Sequence, residues 1–185
     1  MSKVGIFFAE GFEEIEGLTP VDILRRAGIE VTMISITGKL EVTGSHNITV
    51  KTEVLAEDVD YTQLDGVILP GGMPGSKHLK EHDIVNEQIK KFDADKKMVG
   101  AICAAPMVLG AAGLLKGKKA CCYPGFEDQL LGADVVTDRV VVDQNIITSR
   151  GMGKAIIFSL AMIEYFIDKK TADEIKKSII YGHQS

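Results

Sequence analysis

Tryptophan is absent from this chain of 185 residues, and aromatic residues make up only 6% of it. A well-packed interior must therefore consist mainly of aliphatic side chains, which is typical of a parallel sheet covered by helices on both faces. Hydrophobic residues account for 45% of the sequence, and the length suits a single hydrophobic core. We therefore predict one domain over residues 1–185.

Long apolar runs, basic clusters and paired cysteines are also missing. No stretch approaches the roughly 20 apolar residues that cross a bilayer, and the first residues lack the apolar run of a signal peptide. A net charge of −5, without a basic face, argues against nucleic acids and anionic membranes as partners. The three cysteines, Cys103, Cys121 and Cys122, are odd in number and two are adjacent, so they form a poor disulfide framework. We therefore predict a cytoplasmic protein.

Strand and helix patterns alternate along the chain. Short apolar runs typical of strands buried on both faces are followed by segments with apolar residues at helical spacing. The predicted core strands are residues 4–9, 30–36, 66–69, 98–102 and 146–149, and the predicted helices are residues 13–27, 76–81, 83–94, 104–112, 153–167 and 171–180. Residues 39–55 predict a small antiparallel excursion at one edge, residues 118–122 a further strand, and residues 135–137 with 140–142 a hairpin. This order predicts an α/β fold, a three-layer α/β/α sandwich with a mostly parallel sheet and active loops at the carboxyl ends of its strands.

Cys103 stands between a predicted strand and a predicted helix. A nucleophile on such a strand-to-helix turn needs small neighbours two positions before and after it, and Ala101 and Ala105 satisfy this need. A thiol at the start of a helix also faces unpaired N–H groups, which lower its pKa and can bind an oxyanion. The alternative is a buried cysteine without a chemical role, since free cysteine is among the most buried residue types. For Cys121 and Cys122, inside a predicted strand, we favour this alternative.

Three glutamates begin the first predicted helix, at the edge of the sheet that also carries Cys103. Acidic residues at this place complement the helix dipole, and we expect two of Glu13, Glu14 and Glu16 to do only that. A carboxyl group that faces the thiol would have a raised pKa and could donate a hydrogen bond to sulfur. The pattern does not tell which glutamate faces inward.

Histidine, the usual partner of a nucleophilic cysteine, does not follow Cys103, since Ala104 stands there. Three of the four histidines have polar surroundings typical of the surface, and the fourth lies near a turn of the edge excursion. The three surface residues are His78, His82 and His183, and the residue near the turn is His46. No cluster of His, Cys or Asp has the spacing of metal ligands, so we predict no metal site and no cofactor.

Several segments together resemble the DJ-1/ThiJ/PfpI superfamily, most of all its parkinsonism-associated deglycase branch and the bacterial ThiJ/YajL relatives. They are AEGFEEIE at residues 9–16, PVDILRRAGIEV at 20–31, LPGG at 69–72, AICAAP at 101–106 and TSRGMG at 148–153. The similarity extends over nearly the whole chain, and the ordered set is more specific than any one motif. The resemblance implies a flavodoxin-like sandwich, an enzyme without a cofactor, and a homodimer with the first helix around Ile15 at its two-fold interface.

The resemblance also implies roles for individual residues. By position in the motifs, Cys103 would be the reactive, easily oxidised cysteine and Glu16 the carboxyl group that hydrogen-bonds it. The backbone of Gly71, Gly72 and Ala104 would hold an oxyanion. Family members are described as glyoxalases, as deglycases and as redox-responsive chaperones. We therefore predict a cysteine-dependent enzyme acting on small-molecule α-oxoaldehydes or their early glycation adducts. The alternatives are a redox sensor or redox-regulated chaperone that uses Cys103 and, third, a hydrolase or amidase.

Several positions depart from the family pattern. Ala104 stands where the peptidase branch and the chaperone–glyoxalase branch have a histidine, which argues against a Cys–His hydrolase. Tyr123 stands where the deglycase branch often has a histidine paired with an acid at Asp22, so both residues are candidate neighbours of the site. His46 replaces an arginine and is a third candidate neighbour, and Met152 replaces a proline.

Overall fold

The computed structural model describes residues 1–182, and His183, predicted to lie on the surface, is outside the described residues. The strands are β1 (Lys3–Phe8), β2 (Glu30–Ser35), β3 (Glu41–Thr43), β4 (Thr49–Lys51), β5 (Val54–Leu55), β6 (Gly66–Leu69), β7 (Met98–Ile102), β8 (Lys119–Ala120), β9 (Asp134–Val135), β10 (Val140–Asp143) and β11 (Ile146–Ser149). The helices are α1 (Glu14–Arg26), α2 (Gly75–Glu81), α3 (Asp83–Ala94), α4 (Pro106–Ala111), α5 (Ala155–Phe166) and α6 (Lys169–Ser178). Within the described residues, no helix combines the length and the apolar character that crossing a membrane requires.

Seven of these strands form one sheet in the order β10-β11-β7-β6-β1-β2-β5. Neighbouring strands run parallel except β10 and β11, which form an antiparallel pair at one edge. The chain leads from β1 to β2 on one side and later to β6, β7 and β11 on the other side. In open α/β sheets, ligands bind outside the carboxyl ends of the strands next to such a reversal of order.

Alternate residues of β1 face opposite layers of helices. Ile6 and Phe8 pack in one core cluster with Phe158 of α5, while Phe7 packs in a second cluster with Ile89 of α3. Helices α1, α5 and α6 pack together on the first face, and α2 packs with α3 and α4 on the second. Because the strand is apolar on both faces, it is buried on both, and the predicted three-layer, flavodoxin-like α/β fold is confirmed.

The connections differ from the sequence prediction in three places. Residues 135–137 and 140–142 do not pair with each other: β9 runs parallel to β8 in a separate small sheet, and β10 pairs with β11. The predicted strand 118–122 shortens to β8, outside the main sheet. Helix α4 begins at Pro106, because the residues directly after β7 form a turn instead of a first helical turn. The predicted antiparallel excursion is the hairpin of β3 and β4.

Candidate active site

Three loops meet at the carboxyl ends of β1, β6 and β7. The loop after β1 leads into α1 and brings Glu16, the turn Pro70-Gly71-Gly72 follows β6, and Cys103 follows β7. The strands are adjacent in the sheet, so their ends lie side by side. Topology therefore brings the predicted carboxyl group, the glycine turn and the thiol to one place.

Cys103 lies on a tight strand-to-helix turn in a left-handed backbone conformation. Its φ is 65°, a region that non-glycine residues rarely adopt. Its N–H donates to the carbonyl of Ser149 at 2.9 Å, and its carbonyl accepts from the N–H of Tyr123 at 2.8 Å. Ala101 and Ala105 are fully buried against the turn. Hydrogen bonds on both sides hold the strained residue in place, as expected for a nucleophile elbow.

Glu16 is the glutamate that faces inward. Its side chain lies in the first turn of α1 and is 1% exposed. Its Oε2 accepts the N–H of Gly71 at 3.0 Å, and its carboxyl group interacts with the thiol of Cys103. A Cβ at Gly71 would collide with Oε2 of Glu16 and stand 2.6 Å from Cβ of Cys103. Glycine at this position therefore lets the carboxyl group and the cysteine approach each other.

Glu16 and Cys103 are two acidic groups in contact: the charge of Glu16 opposes ionisation of the thiol, whereas the hydrogen bond from the thiol favours the ionised form of Glu16. Burial raises the pKa of Glu16 to about 7, although the Cys103 thiol and the Gly71 N–H act in the opposite direction. Burial and then the charge of Glu16 raise the pKa of Cys103 to about 12. Between these two pH values the pair holds one proton.

The N–H groups of Ala104 and Gly72 are directed at the sulfur of Cys103, and both lower its pKa. They act in the direction that the sequence predicts, but burial and Glu16 outweigh them, so the pKa of this thiol is raised. The N–H of Gly71 is directed at Glu16 instead of the sulfur. Of the three backbone positions expected to hold an oxyanion, Gly72 and Ala104 therefore face the sulfur, and Gly71 orients the carboxyl group.

Glu14 does more than complement the helix dipole, which is the role expected for two of the three glutamates. It is 3% exposed, and its Oε1 accepts the N–H of His46 at 2.8 Å. Its Oε2 lies 2.9 Å from Nδ1 of His46. Burial alone would raise the pKa of Glu14, but these hydrogen bonds outweigh it and lower the pKa. The sequence carries no signal for this contact, because the two residues are 32 positions apart.

The other residues considered in the sequence analysis differ in their relation to Cys103. Tyr123 is half exposed and donates its backbone N–H to Cys103, so it borders the site. Asp22 is exposed and pairs with Arg26 at 2.7 Å, one turn further along α1. Cys121 and Cys122 are 0% and 2% exposed, as expected for core residues.

A cleft of about 380 Å³ lies next to the elbow and is lined by Tyr123, whose N–H binds the carbonyl of Cys103; Cys103 and Glu16 do not line it. Tyr123 forms one wall, and the segment after Ser149 forms another. Three cationic residues, Arg139, Arg150 and Lys154, line the cleft. The protein is thus an α/β sandwich whose candidate active site lies at the elbow. A cysteine, a buried carboxyl group and two backbone N–H groups meet there, next to the point where the strand order reverses.

The family behind this arrangement is identified by comparison with known proteins. The DJ-1/PfpI family model matches residues 2–165. The chain belongs to the DJ-1/PfpI family. Oxidized DJ-1 of Toxoplasma gondii is a structure of the same fold, with a TM-score of 0.95 and 36% identity over 99% of this chain and 100% of that one.

Two curated relatives are similar over most of the chain. Protein DJ-1 homolog B of Arabidopsis thaliana is 38% identical over 180 residues, which are 96% of this chain and 41% of the plant protein. The chain thus spans about two fifths of the length of this relative. A deglycase of Pyrococcus abyssi is 36% identical over 154 residues, 82% of this chain and 91% of that protein.

Proposed function

We propose that the chain is a cysteine-dependent enzyme that converts α-oxoaldehydes, or their early adducts with amines, into hydroxy acids. The observation that carries this proposal is the Glu16–Cys103 pair, which holds one proton beside the N–H groups of Gly72 and Ala104. A nucleophile, a proton carrier and oxyanion donors are thereby combined in one place. The deglycase name of the Pyrococcus relative supports the same substrate class.

In the first step, the sulfur of Cys103 adds to the aldehyde carbon. The thiol proton passes to the carbonyl oxygen, directly or through Glu16, and the product is a hemithioacetal. The N–H groups of Gly72 and Ala104 donate hydrogen bonds to the negative charge that develops during the addition. The thiol proton can move to Glu16 at neutral pH, because the pair then holds one proton and this transfer gives a thiolate without a second negative charge.

In the second step, Glu16 removes the proton from the former aldehyde carbon and returns a proton to the neighbouring carbon. The aldehyde carbon is thereby oxidised and the keto carbon reduced, which leaves a thioester of a 2-hydroxy acid and needs no external oxidant. Water then hydrolyses the thioester, and Cys103 regains its proton. The pKa of about 7 for Glu16 suits a group that both accepts and donates a proton near neutral pH.

The cationic cleft beside the elbow suits this chemistry. Its volume of about 380 Å³ is ample for a compound of a few carbon atoms. The product is a carboxylate, and Arg139, Arg150 and Lys154 favour an anion there.

The direct test is incubation with methylglyoxal and measurement of 2-hydroxy acid formation. We expect turnover by the wild-type chain, none by Cys103→Ala, and nearly unchanged turnover by Cys122→Ala, a buried cysteine beyond the elbow. Activity retained in Cys103→Ala would contradict the proposal.

A redox sensor or redox-regulated chaperone is the second candidate. The observation that favours it is that Cys103 is partly exposed while Cys121 and Cys122 are buried, and that two N–H groups face the Cys103 sulfur. An oxidised sulfur would accept hydrogen bonds from those groups. Chaperone activity that appears only after peroxide treatment, without aldehyde turnover in the reduced protein, would favour this role over the enzyme.

We also propose that the chain acts as a homodimer. Ile15 of α1 is 49% exposed, and Ile48, whose N–H is directed at the neighbouring Glu14, is 53% exposed. Two exposed apolar side chains on adjacent segments support an interface there. Sedimentation should give twice the chain mass of 20.0 kDa. Ile15→Glu should weaken the dimer, while Leu131→Glu, at another exposed apolar residue, should leave it intact.

A further inference from the structure

A cluster of three possible metal ligands lies outside the Glu16–Cys103 pair. Glu13 and Glu14 begin α1, and His46 lies in the turn between β3 and β4. Nδ1 of His46 is 2.9 Å from Oε2 of Glu14 and 3.4 Å from Oε2 of Glu13. The three donor atoms lie within 4.8 Å of one another.

The buried carboxyl group in this cluster is fixed by the backbone of the hairpin. Oε1 of Glu14 accepts the N–H groups of His46 and Ile48, so Oε2 is left to face the imidazole. A Cβ at Gly44 would collide with the carboxyl group of Glu14, so glycine at this position makes room for it. The N–H of Ser45 donates to the carbonyl of Phe12 at 2.8 Å and ties the hairpin to the start of α1. The carboxyl group of Glu14 is therefore held in position by the fold itself, as outer contacts hold the ligands of metal sites.

Two distances within the cluster can be compared with those of a tetrahedral site. Donor atoms about 2.1 Å from a tetrahedral Zn²⁺ ion stand about 3.4 Å from one another. The imidazole nitrogen already stands 3.4 Å from the Glu13 oxygen, and the 2.9 Å contact with Glu14 has the length of a hydrogen bond whose proton a metal ion would replace. Oγ of Ser45 is 3.2 Å from the same nitrogen and 3.4 Å from the Glu13 oxygen, beside the fourth position.

The charge of the cluster also favours a divalent cation. Two carboxylates face one imidazole, and among the ion pairs of residues 1–182 neither Glu13 nor Glu14 has a Lys or Arg partner. One imidazole nitrogen and two carboxylate oxygens are a donor set that suits Zn²⁺ and similar transition-metal ions. The side chain of His46 is 68% exposed in the single chain.

We propose that Glu13, Glu14 and His46 form a binding site for one divalent transition-metal ion of the Zn²⁺ type, separate from the cysteine chemistry. Three protein ligands hold the ion, and water beside Ser45 occupies the fourth position. The site is complete within a single chain.

The test is a calorimetric titration of the untagged protein with Zn²⁺. Because a thiol also binds Zn²⁺, the titration is made in the Cys103→Ala background. We expect one ion per chain, at least tenfold weaker binding after His46→Ala, and weaker binding after Glu13→Gln. His78→Ala removes another exposed histidine and serves as the matched control, which should bind as tightly as the parent.

Spectroscopy with Co²⁺ gives an independent measurement. The expected spectrum has the ligand-field bands of a tetrahedral nitrogen–oxygen site and lacks sulfur-to-metal charge transfer. Unchanged Zn²⁺ binding in both His46→Ala and Glu13→Gln would overturn the proposal. So would binding that is lost in Cys103→Ala, which would assign the ion to the cysteine, or a stoichiometry of one ion per two chains.

Discussion

The backbone N–H of Gly71 donates to Oε2 of Glu16 at 3.0 Å and joins two segments that are 55 residues apart in the sequence. This bond turns the carboxyl group of the first helix toward the cysteine after β7. It also uses the N–H of Gly71, so the oxyanion position depends on the N–H groups of Gly72 and Ala104. Because of this hydrogen bond, Glu16 is the group placed to carry the proton, and the N–H groups of Gly72 and Ala104 are the ones left to stabilise an oxyanion.

Gly71→Ala should disrupt this arrangement. The new Cβ would collide with Glu16 and stand 2.6 Å from Cβ of Cys103 and 2.9 Å from the backbone oxygen of Ile102. We expect a loss of about 1–3 kcal/mol in the free energy of unfolding, as for other overpacked sites, together with loss of aldehyde turnover. Urea denaturation measures the first effect. Gly153→Ala is the matched control, because a Cβ there meets nothing within 4 Å; equal stability losses in both variants would contradict the collision.

Glu16→Gln should lower aldehyde turnover by at least about 100-fold, because an amide cannot carry the proton between the two carbons. Glu13→Gln changes a charge three residues earlier, directly before α1, and should have only a small effect. Turnover rates of the two purified variants decide the question. If both substitutions had equal, small effects, the prediction would be wrong, and Glu16 would only complement the dipole at the start of the helix.

Cys103→Gly should be more stable than Cys103→Ala, although both should be inactive. The left-handed φ of 65° costs an alanine about 1 kcal/mol or more and costs glycine very little. Thermal or urea unfolding of the two variants measures the difference. Ala101→Gly, in the strand β7 that leads into Cys103, should instead lower the stability, since glycine weakens a strand interior. A Cys103→Gly variant less stable than Cys103→Ala would contradict the strained elbow.

Part of this site could be predicted from the sequence. The elbow at Cys103 is a local pattern of a strand, small neighbours and a helix. The pattern places three glutamates at the same edge, and only the resemblance to the family singled out Glu16. The contact of Glu14 with His46 could not be predicted, because it depends on how a hairpin 32 residues away folds back on α1. The raised pKa of Cys103 also escaped prediction, since burial and the charge of Glu16 depend on tertiary packing, which no local pattern contains.

The stability of the wild-type chain should fall relative to Glu16→Gln as pH rises from 4.5 to 7. The pKa of Glu16 is raised from 4.5 to about 7, so in this window the folded protein keeps a proton that the unfolded chain has released. The unfolded state then binds fewer protons, and the free energy of unfolding falls with pH by up to about 3 kcal/mol. The pKa of Cys103 is raised from 9.0 to about 12, so its effect on stability appears between these pH values and not between pH 4.5 and 7. Urea denaturation at pH 4.5, 6 and 8 tests the prediction, and parallel pH profiles of the two proteins would contradict it.

Peroxide should oxidise Cys103 before the other two cysteines. Cys103 is half buried, whereas Cys121 and Cys122 are 0% and 2% exposed, so peroxide reaches the elbow first. Although the pKa of its thiol is raised, transfer of the proton to Glu16 leaves a thiolate beside the N–H groups of Gly72 and Ala104. One peroxide molecule gives a sulfenic acid, and because the other cysteines are buried, a second peroxide takes it to a sulfinate.

The oxygens of that sulfinate can accept hydrogen bonds from the two N–H groups and from protonated Glu16. Peptide mass spectrometry after graded peroxide treatment should therefore show two added oxygens on Cys103 while Cys121 and Cys122 remain unmodified. Glu16→Gln still offers one donor and should slow the accumulation of the sulfinate moderately, whereas Glu16→Leu offers none and should slow it more. If Cys121 or Cys122 oxidises first, or if a disulfide of Cys103 predominates, the sulfur is neither isolated nor held by the backbone in the way that the elbow geometry requires.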